Sequence, residues 1–137
     1  MKSTLIDKVF LIIIFVVLIT SCSEIFVSGN GTLKGSIHIG PLCPVETIPP
    51  LPGCLPTEQT YKTWQLSVYN SSETHSIADI YPELSGDYIL KLPAGNYKIN
   101  FKDKNLNRIG GSNLPLTVKV MDGDTTSLDV NIDTGIR

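Results

Sequence analysis

Beyond residue 31 the sequence alternates. Leu33, Gly35, Ile37 and Ile39 are interleaved with Lys34, Ser36 and His38. Trp64, Leu66 and Val68 are interleaved with Gln65 and Ser67, and Tyr88, Leu90 and Leu92 with Ile89 and Lys91. Tyr97, Ile99 and Phe101, then Leu116, Val118 and Val120, then Leu128, Val130 and Ile132 repeat the pattern, and residues 75–80 carry a weaker version. Successive side chains of a strand point to opposite faces, so a period of two marks a strand with one buried face. No segment after residue 31 has a helical period. Turn residues separate the runs: Pro93-Ala94-Gly95, where Gly95 can take positive φ, then Ser85-Gly86-Asp87 and Asp122-Gly123-Asp124. Seven short strands with one apolar face each must bury those faces on one another. The expected fold is all-β, a seven-stranded antiparallel β-sandwich over residues 32–137.

The other end of the chain has a different composition. Residues 9–19 (VFLIIIFVVLI) are an unbroken apolar run behind Lys2 and Lys8. A membrane-spanning helix needs about 20 such residues, and the shorter run fits the apolar region of a secretory signal. Ile19-Thr20-Ser21-Cys22 follows at once and resembles the lipobox of bacterial lipoproteins: an aliphatic residue, two small residues, then cysteine. That resemblance implies that residues 1–21 are a cleaved signal peptide. It also implies a diacylglyceryl thioether on Cys22, N-acylation, and a lipidated tether over residues 22–31. One acyl chain holds a membrane marginally, whereas two or more anchor stably. Ser23, where the sorting pattern of Gram-negative envelopes would place Asp to retain a lipoprotein, points to the outer membrane. The expected location is the bacterial cell envelope.

Three cysteines leave two once Cys22 carries lipid. Outside the cytoplasm Cys43 and Cys54 can form a lasting disulfide. They bracket GPLCPVETIPPLPGCLP, residues 40–56, which holds Pro41, Pro44, Pro49, Pro50, Pro52 and Pro56. Proline at that density excludes a helix or a sheet interior. The loop offers Val45, Glu46, Ile48 and Leu51 as candidate partner contacts. Its other reading is a structural staple over the open end of the core. A redox pair is disfavoured because the spacing is not Cys-x-x-Cys, and zinc because no histidines stand at finger spacing.

Net charge is −2, and loss of residues 1–21 removes Lys2, Lys8 and Asp7, making it one unit more negative. A mildly acidic chain offers no footprint for nucleic acid. His38 and His75 are the two histidines. H-E-x-x-H, G-x-S-x-G and phosphate-loop motifs are absent. A Ser-His-Asp constellation would have to arise by folding alone. Asp103-Lys104-Asn105-Leu106-Asn107 places oxygen groups at alternate positions but lacks the glycine and closing Glu of a calcium loop. No catalytic residue, metal or cofactor is expected, and the chain reads as a non-enzyme.

Gly35-Ser36-Ile37, Gly86-Asp87-Tyr88 and Leu92-Pro93-Ala94-Gly95-Asn96-Tyr97 resemble the carboxypeptidase regulatory-like domains, over about residues 32–132. That resemblance implies a prealbumin-like, transthyretin-type sandwich; Ala94 stands where that family commonly has proline. Such sandwiches host many roles, so it implies no activity. Lys34 and Asn131, on the first and last strands, invite comparison with the Lys–Asn isopeptide bonds of pilin-type Cna B domains, with Glu83 as the acid. Both fall on the polar register, which weighs against the bond. The expected function is a non-catalytic, monomeric, membrane-anchored envelope lipoprotein, a binding or structural module for an envelope or extracellular protein partner. The alternative is an accessory subunit that binds a carbohydrate or peptide ligand through Tyr61, Trp64 and Tyr69.

Overall fold

The alternating runs become strands, and the inward residues form one core. The computed structural model describes residues 29–45, 47–108 and 112–137. The expected signal peptide, Cys22, the expected tether up to residue 28, and Glu46 lie outside the described residues. Strands β1 (Asn30–Gly40), β2 (Leu66–Asn70), β3 (Ser76–Ile80), β4 (Asp87–Pro93), β5 (Gly95–Phe101), β6 (Leu116–Val120), β7 (Thr125–Ser127) and β8 (Val130–Asp133) form two sheets. In the first, β1 is central, with β4 on one side and β7 then β8 on the other. The second has the order β3-β2-β5-β6. Leu33, Ile37, Leu92 and Val130 from one sheet and Leu66, Val68, Ile99, Phe101 and Val120 from the other fill the space between them. The chain is a β-sandwich.

Three details differ from the expectation. First, pairing is not antiparallel throughout: β4 runs antiparallel to β1, whereas β7 and β8 run parallel to it. Second, the last run is two strands, which makes eight. Leu128 N–H still bonds the Lys34 carbonyl at 2.8 Å, but the Ser36 N–H turns to the Asp129 carboxylate at 2.9 Å. A side chain thus takes the place of a ladder bond and interrupts the strand. The chains are close here, since a Cβ on Gly35 would lie 1.9 Å from the Leu128 carbonyl oxygen. Third, helix α1 (Glu58–Thr63) forms where no helix was expected. Thr57 and Thr60 make a reciprocal capping box at its start, which satisfies N–H groups that a helix terminus leaves open. Trp64 is the C-cap of α1 rather than a strand residue. Positive φ occurs at Gly86 (92°) and Gly123 (68°), not at Gly95.

The outer face of the second sheet is a polar layer. Ser67 is fully buried and donates to Asp79 at 2.6 Å, and Lys102 meets the same carboxylate at 2.6 Å. Asn100 donates to Glu73 at 2.6 Å, which Lys104 also reaches at 2.5 Å. The Lys104 ammonium lies 3.9 Å from the Tyr69 ring centroid. These partners hold the Glu73 and Asp79 carboxyls below the usual carboxylate range, chiefly through the bonds from Lys104 and Lys102 respectively.

Candidate functional site: the disulfide-closed loop

β1 hands the chain to the proline-rich segment at Gly40, and the Cys43–Cys54 disulfide closes it, with Cα atoms 5.5 Å apart. A short 3₁₀ turn, Pro52–Cys54, ends the loop, with Cys54 N–H bonded to the Leu51 carbonyl at 2.8 Å. Thr47 donates to the Pro49 carbonyl at 2.9 Å. Beyond β8 the chain secures the base of the loop. Thr134 N–H bonds the Gly40 carbonyl at 3.1 Å, and its hydroxyl bonds the Pro41 carbonyl. Arg137 forks onto Asp133 at 3.0 and 2.7 Å. That guanidinium, with the Gly135 N–H, brings the Asp133 carboxyl down to about 2.

Within this frame the loop turns its apolar side chains outward. Val45 is 70% exposed, Leu51 55%, and Ile48 as exposed as in an open chain. Leu42 alone among the loop's large apolar groups packs on the core. Leu55 and Leu84 are also exposed and extend the surface toward α1. Sequence reasoning missed both; Leu55-Pro56 carried a faint signal, since a residue before proline is held extended. A concavity of about 510 Å³ lies beneath the loop, lined by Ile39, Leu42, Ile48, Leu55 and the two cysteines. A second segment also covers the core. Tyr61 of α1 is buried against the end of the core, and Trp64 packs on Phe101 with ring centroids 6.0 Å apart. Burial, then the charge of Asp87, raises the Tyr61 phenol.

The other candidates resolve differently. Tyr61 and Tyr69 are buried and Trp64 is half-buried, so they form no exposed stacking platform. Lys34 stands opposite Ser127, whereas Asn131 stands opposite His38, four positions further along β1; the isopeptide pair is not assembled. Ser36, His38 and Asp129 do come together. However, the Ser36 hydroxyl donates to Asp129 at 3.1 Å, and His38 Nε2 lies 3.4 Å from that hydroxyl. A relay needs the imidazole between hydroxyl and carboxylate; here the hydroxyl is between the other two. The Ser36 amide and hydroxyl hold the Asp129 carboxyl below its usual range, which makes it a poor base. His75 contacts the Thr74 hydroxyl at 2.9 Å. Asp103 accepts from Asn105 N–H at 2.9 Å, a local turn that occupies the supposed ligand oxygen. Among the described residues no three His, Cys, Asp or Glu side chains are grouped to hold a metal.

No protein-family model matches the chain, and no curated protein does. Solved structures similar to it include a DUF3823 family protein from Parabacteroides merdae, at 16% identity and a TM-score of 0.44, covering 77% of this chain and 46% of that one. Another DUF3823 family protein, from Bacteroides ovatus, has 17% identity and a TM-score of 0.39, covering 74% and 44%. GBS52, the minor pilin of Streptococcus agalactiae, has 12% identity and a TM-score of 0.42, covering 77% and 44%. The chain spans less than half the length of each of these three proteins.

Proposed function

We propose that the chain is a non-catalytic, lipid-anchored module of the bacterial envelope that captures a protein partner with its disulfide-closed loop. One observation carries this reading: Val45, Ile48 and Leu51 are exposed on a loop closed by a disulfide and fastened at its base. A segment ordered before binding loses little freedom on binding. Apolar side chains presented together make the water-excluding centre of an interface.

The direction of β1 supports the same reading. The segment from Cys22 enters β1 at Asn30, and the loop leaves at Gly40. Eleven residues at about 3.3 Å each put the loop roughly 35 Å from the entry point. The loop therefore stands at the end of β1 opposite the one that an anchor at Cys22 would lead into.

A photo-crosslinking residue at position 48 of the full chain in its native envelope tests the reading, with one at position 77 on β3 as the control. A discrete adduct from position 48, absent from 77, is expected. Identical adducts from both positions, or none from 48 in folded protein, would refute it. Cys22→Ser is expected to move the protein out of the membrane fraction.

A further inference from the structure

We propose that the outer edge of β4 is a second docking site, which adds an extended peptide strand with acidic, apolar and basic residues at alternate positions. It goes beyond the loop reading and depends neither on the loop nor on the anchor.

The backbone register supplies the first reason. Among the described residues β4 is a terminal strand, with β1 on one side only. Gly86 carbonyl accepts from Ile37 N–H at 2.9 Å, and Tyr88 stands opposite Gly35. In an antiparallel pair the main-chain groups of alternate residues face the partner. Tyr88, Leu90 and Leu92 therefore bond β1, while the main chains of Asp87, Ile89 and Lys91 face outward. Glu83 N–H takes the Asp87 carbonyl at 2.9 Å. Among the described residues no hydrogen bond is made to the outward groups of Ile89 and Lys91. Edge strands are usually blunted by charge, bulge or proline. Here Lys91 and Pro93 blunt the far end, but Ile89, at the middle, is 73% exposed.

Charge supplies the second reason. A groove of about 430 Å³ opens on the outer face of this sheet and reaches from Asp87 and Ile89 on β4 across Lys34 of β1 to Asp129, with Tyr81 and Glu83 also lining it. Near β4 it carries the Glu83 and Asp87 carboxylates, and Tyr81 there is 75% exposed. Two residues past Ile89 the sign reverses at Lys91. A strand added to an open edge gains main-chain bonds, and pockets for alternate side chains give it specificity. Its residue opposite Ile89 projects on the same face and is apolar. In an antiparallel added strand the residue two before it stands opposite Lys91 and must be acidic. The residue two after it passes the end of the open edge, where Glu83 and Ser85 already bond the Asp87 main chain, and must be basic to meet the Asp87 and Glu83 carboxylates.

The test uses the full chain in detergent and a synthetic nine-residue peptide with Glu, Val and Arg, in that order, at alternate positions and Thr elsewhere. Amide exchange read by NMR is expected to slow at least tenfold at Ile89 and Lys91 when the peptide is added. Replacing the peptide's Arg by Glu is expected to weaken binding at least tenfold, and Asp87→Lys to reverse that preference. Ile89→Pro removes an outward N–H and the exposed side chain but no bond to β1, so it is expected to abolish binding while the unfolding midpoint confirms a folded protein. Unchanged exchange at millimolar peptide, or equal binding of the Arg and Glu peptides, overturns the proposal. Protection of the same amides that rises with protein concentration and no peptide assigns the edge to a second copy, and also overturns it. Reducing the disulfide leaves the expected peptide binding intact, which separates this result from any failure of the loop.

Discussion

Replacing Cys43 and Cys54 together by serine tests how the loop is held. The bridged residues are 11 apart in sequence, and chain entropy gives about 3 kcal/mol for a closed loop of that size. Six prolines in residues 40–56 already restrict the open chain, which trims the figure toward about 2 kcal/mol. Core packing adds little, because both cysteines are only half-buried and Val45, Ile48 and Leu51 are exposed. The expected loss is therefore about 2–3 kcal/mol. With a urea slope of about 1.5 kcal/mol/M this lowers the midpoint by roughly 1.3–2 M. The slope itself rises slightly, because the open chain unfolds to a more expanded state. The far-ultraviolet spectrum stays that of the sandwich. A midpoint shift below about 0.5 M would refute the constraint argument, and loss of the sheet signal in plain buffer would make the loop part of the core. Ile48→Ser, with the disulfide intact, is the matched control and stays within about 0.5 kcal/mol of the parent.

Gly35→Ala forces a Cβ to 1.9 Å from the Leu128 carbonyl oxygen, so urea unfolding is expected to register a loss of about 2 kcal/mol or more. Phe101→Ala empties a fully buried site against Trp64 and is expected to cost about 3–5 kcal/mol. Glu73 and Asp79 have folded-state pKa values below 4.5 and 3.8, their ordinary values. Their contribution is complete above those values and is lost as pH falls through the folded ones, so the urea midpoint drops as pH falls below about 4.5, and Asp79→Asn flattens that slope. Burial, then the charge of Asp129, pushes the Tyr88 phenol up from 10.0 to about 12. Its share of stability is whole below pH 10 and disappears as pH rises toward 12, which absorbance at 295 nm will follow. Tyr88→Phe removes that step and the 2.7 Å bond to the Leu128 carbonyl, at about 1 kcal/mol.

Much of the core was legible because burial on one face of a strand leaves a period of two. Leu33, Ile37, Ile39, Tyr97, Ile99, Phe101, Val118, Val120, Val130 and Ile132 all sit inside as the alternation requires. The direction of pairing was not legible, since the same alternation serves a parallel or an antiparallel neighbour. The break at Leu128–Asp129 depends on a carboxylate reaching Ser36 from 93 residues away, and no local pattern encodes that. Six residues of α1 are too few to show a helical period, although Thr57 and Thr60 stood at cap spacing. Cysteine counting found the disulfide, and Val45, Ile48 and Leu51 were read as candidate contacts from their place among the prolines between the two cysteines. Trp64, Tyr61 and Tyr69 misled as a surface because aromatic type says nothing of burial. Ile89, an apolar residue on a polar register, was the one mark of the open edge.

The central place of β1 has a mechanical consequence. A pull applied between Gly29 and Cys43 runs along the axis of that strand, across a ladder with β4 on one flank and with β7 and β8 on the other. Load of that kind must slide the strand past several hydrogen bonds at once, rather than peel them one after another. Tension between an anchor before Asn30 and a cargo gripped beyond Gly40 would therefore fall on the sturdiest line through the molecule.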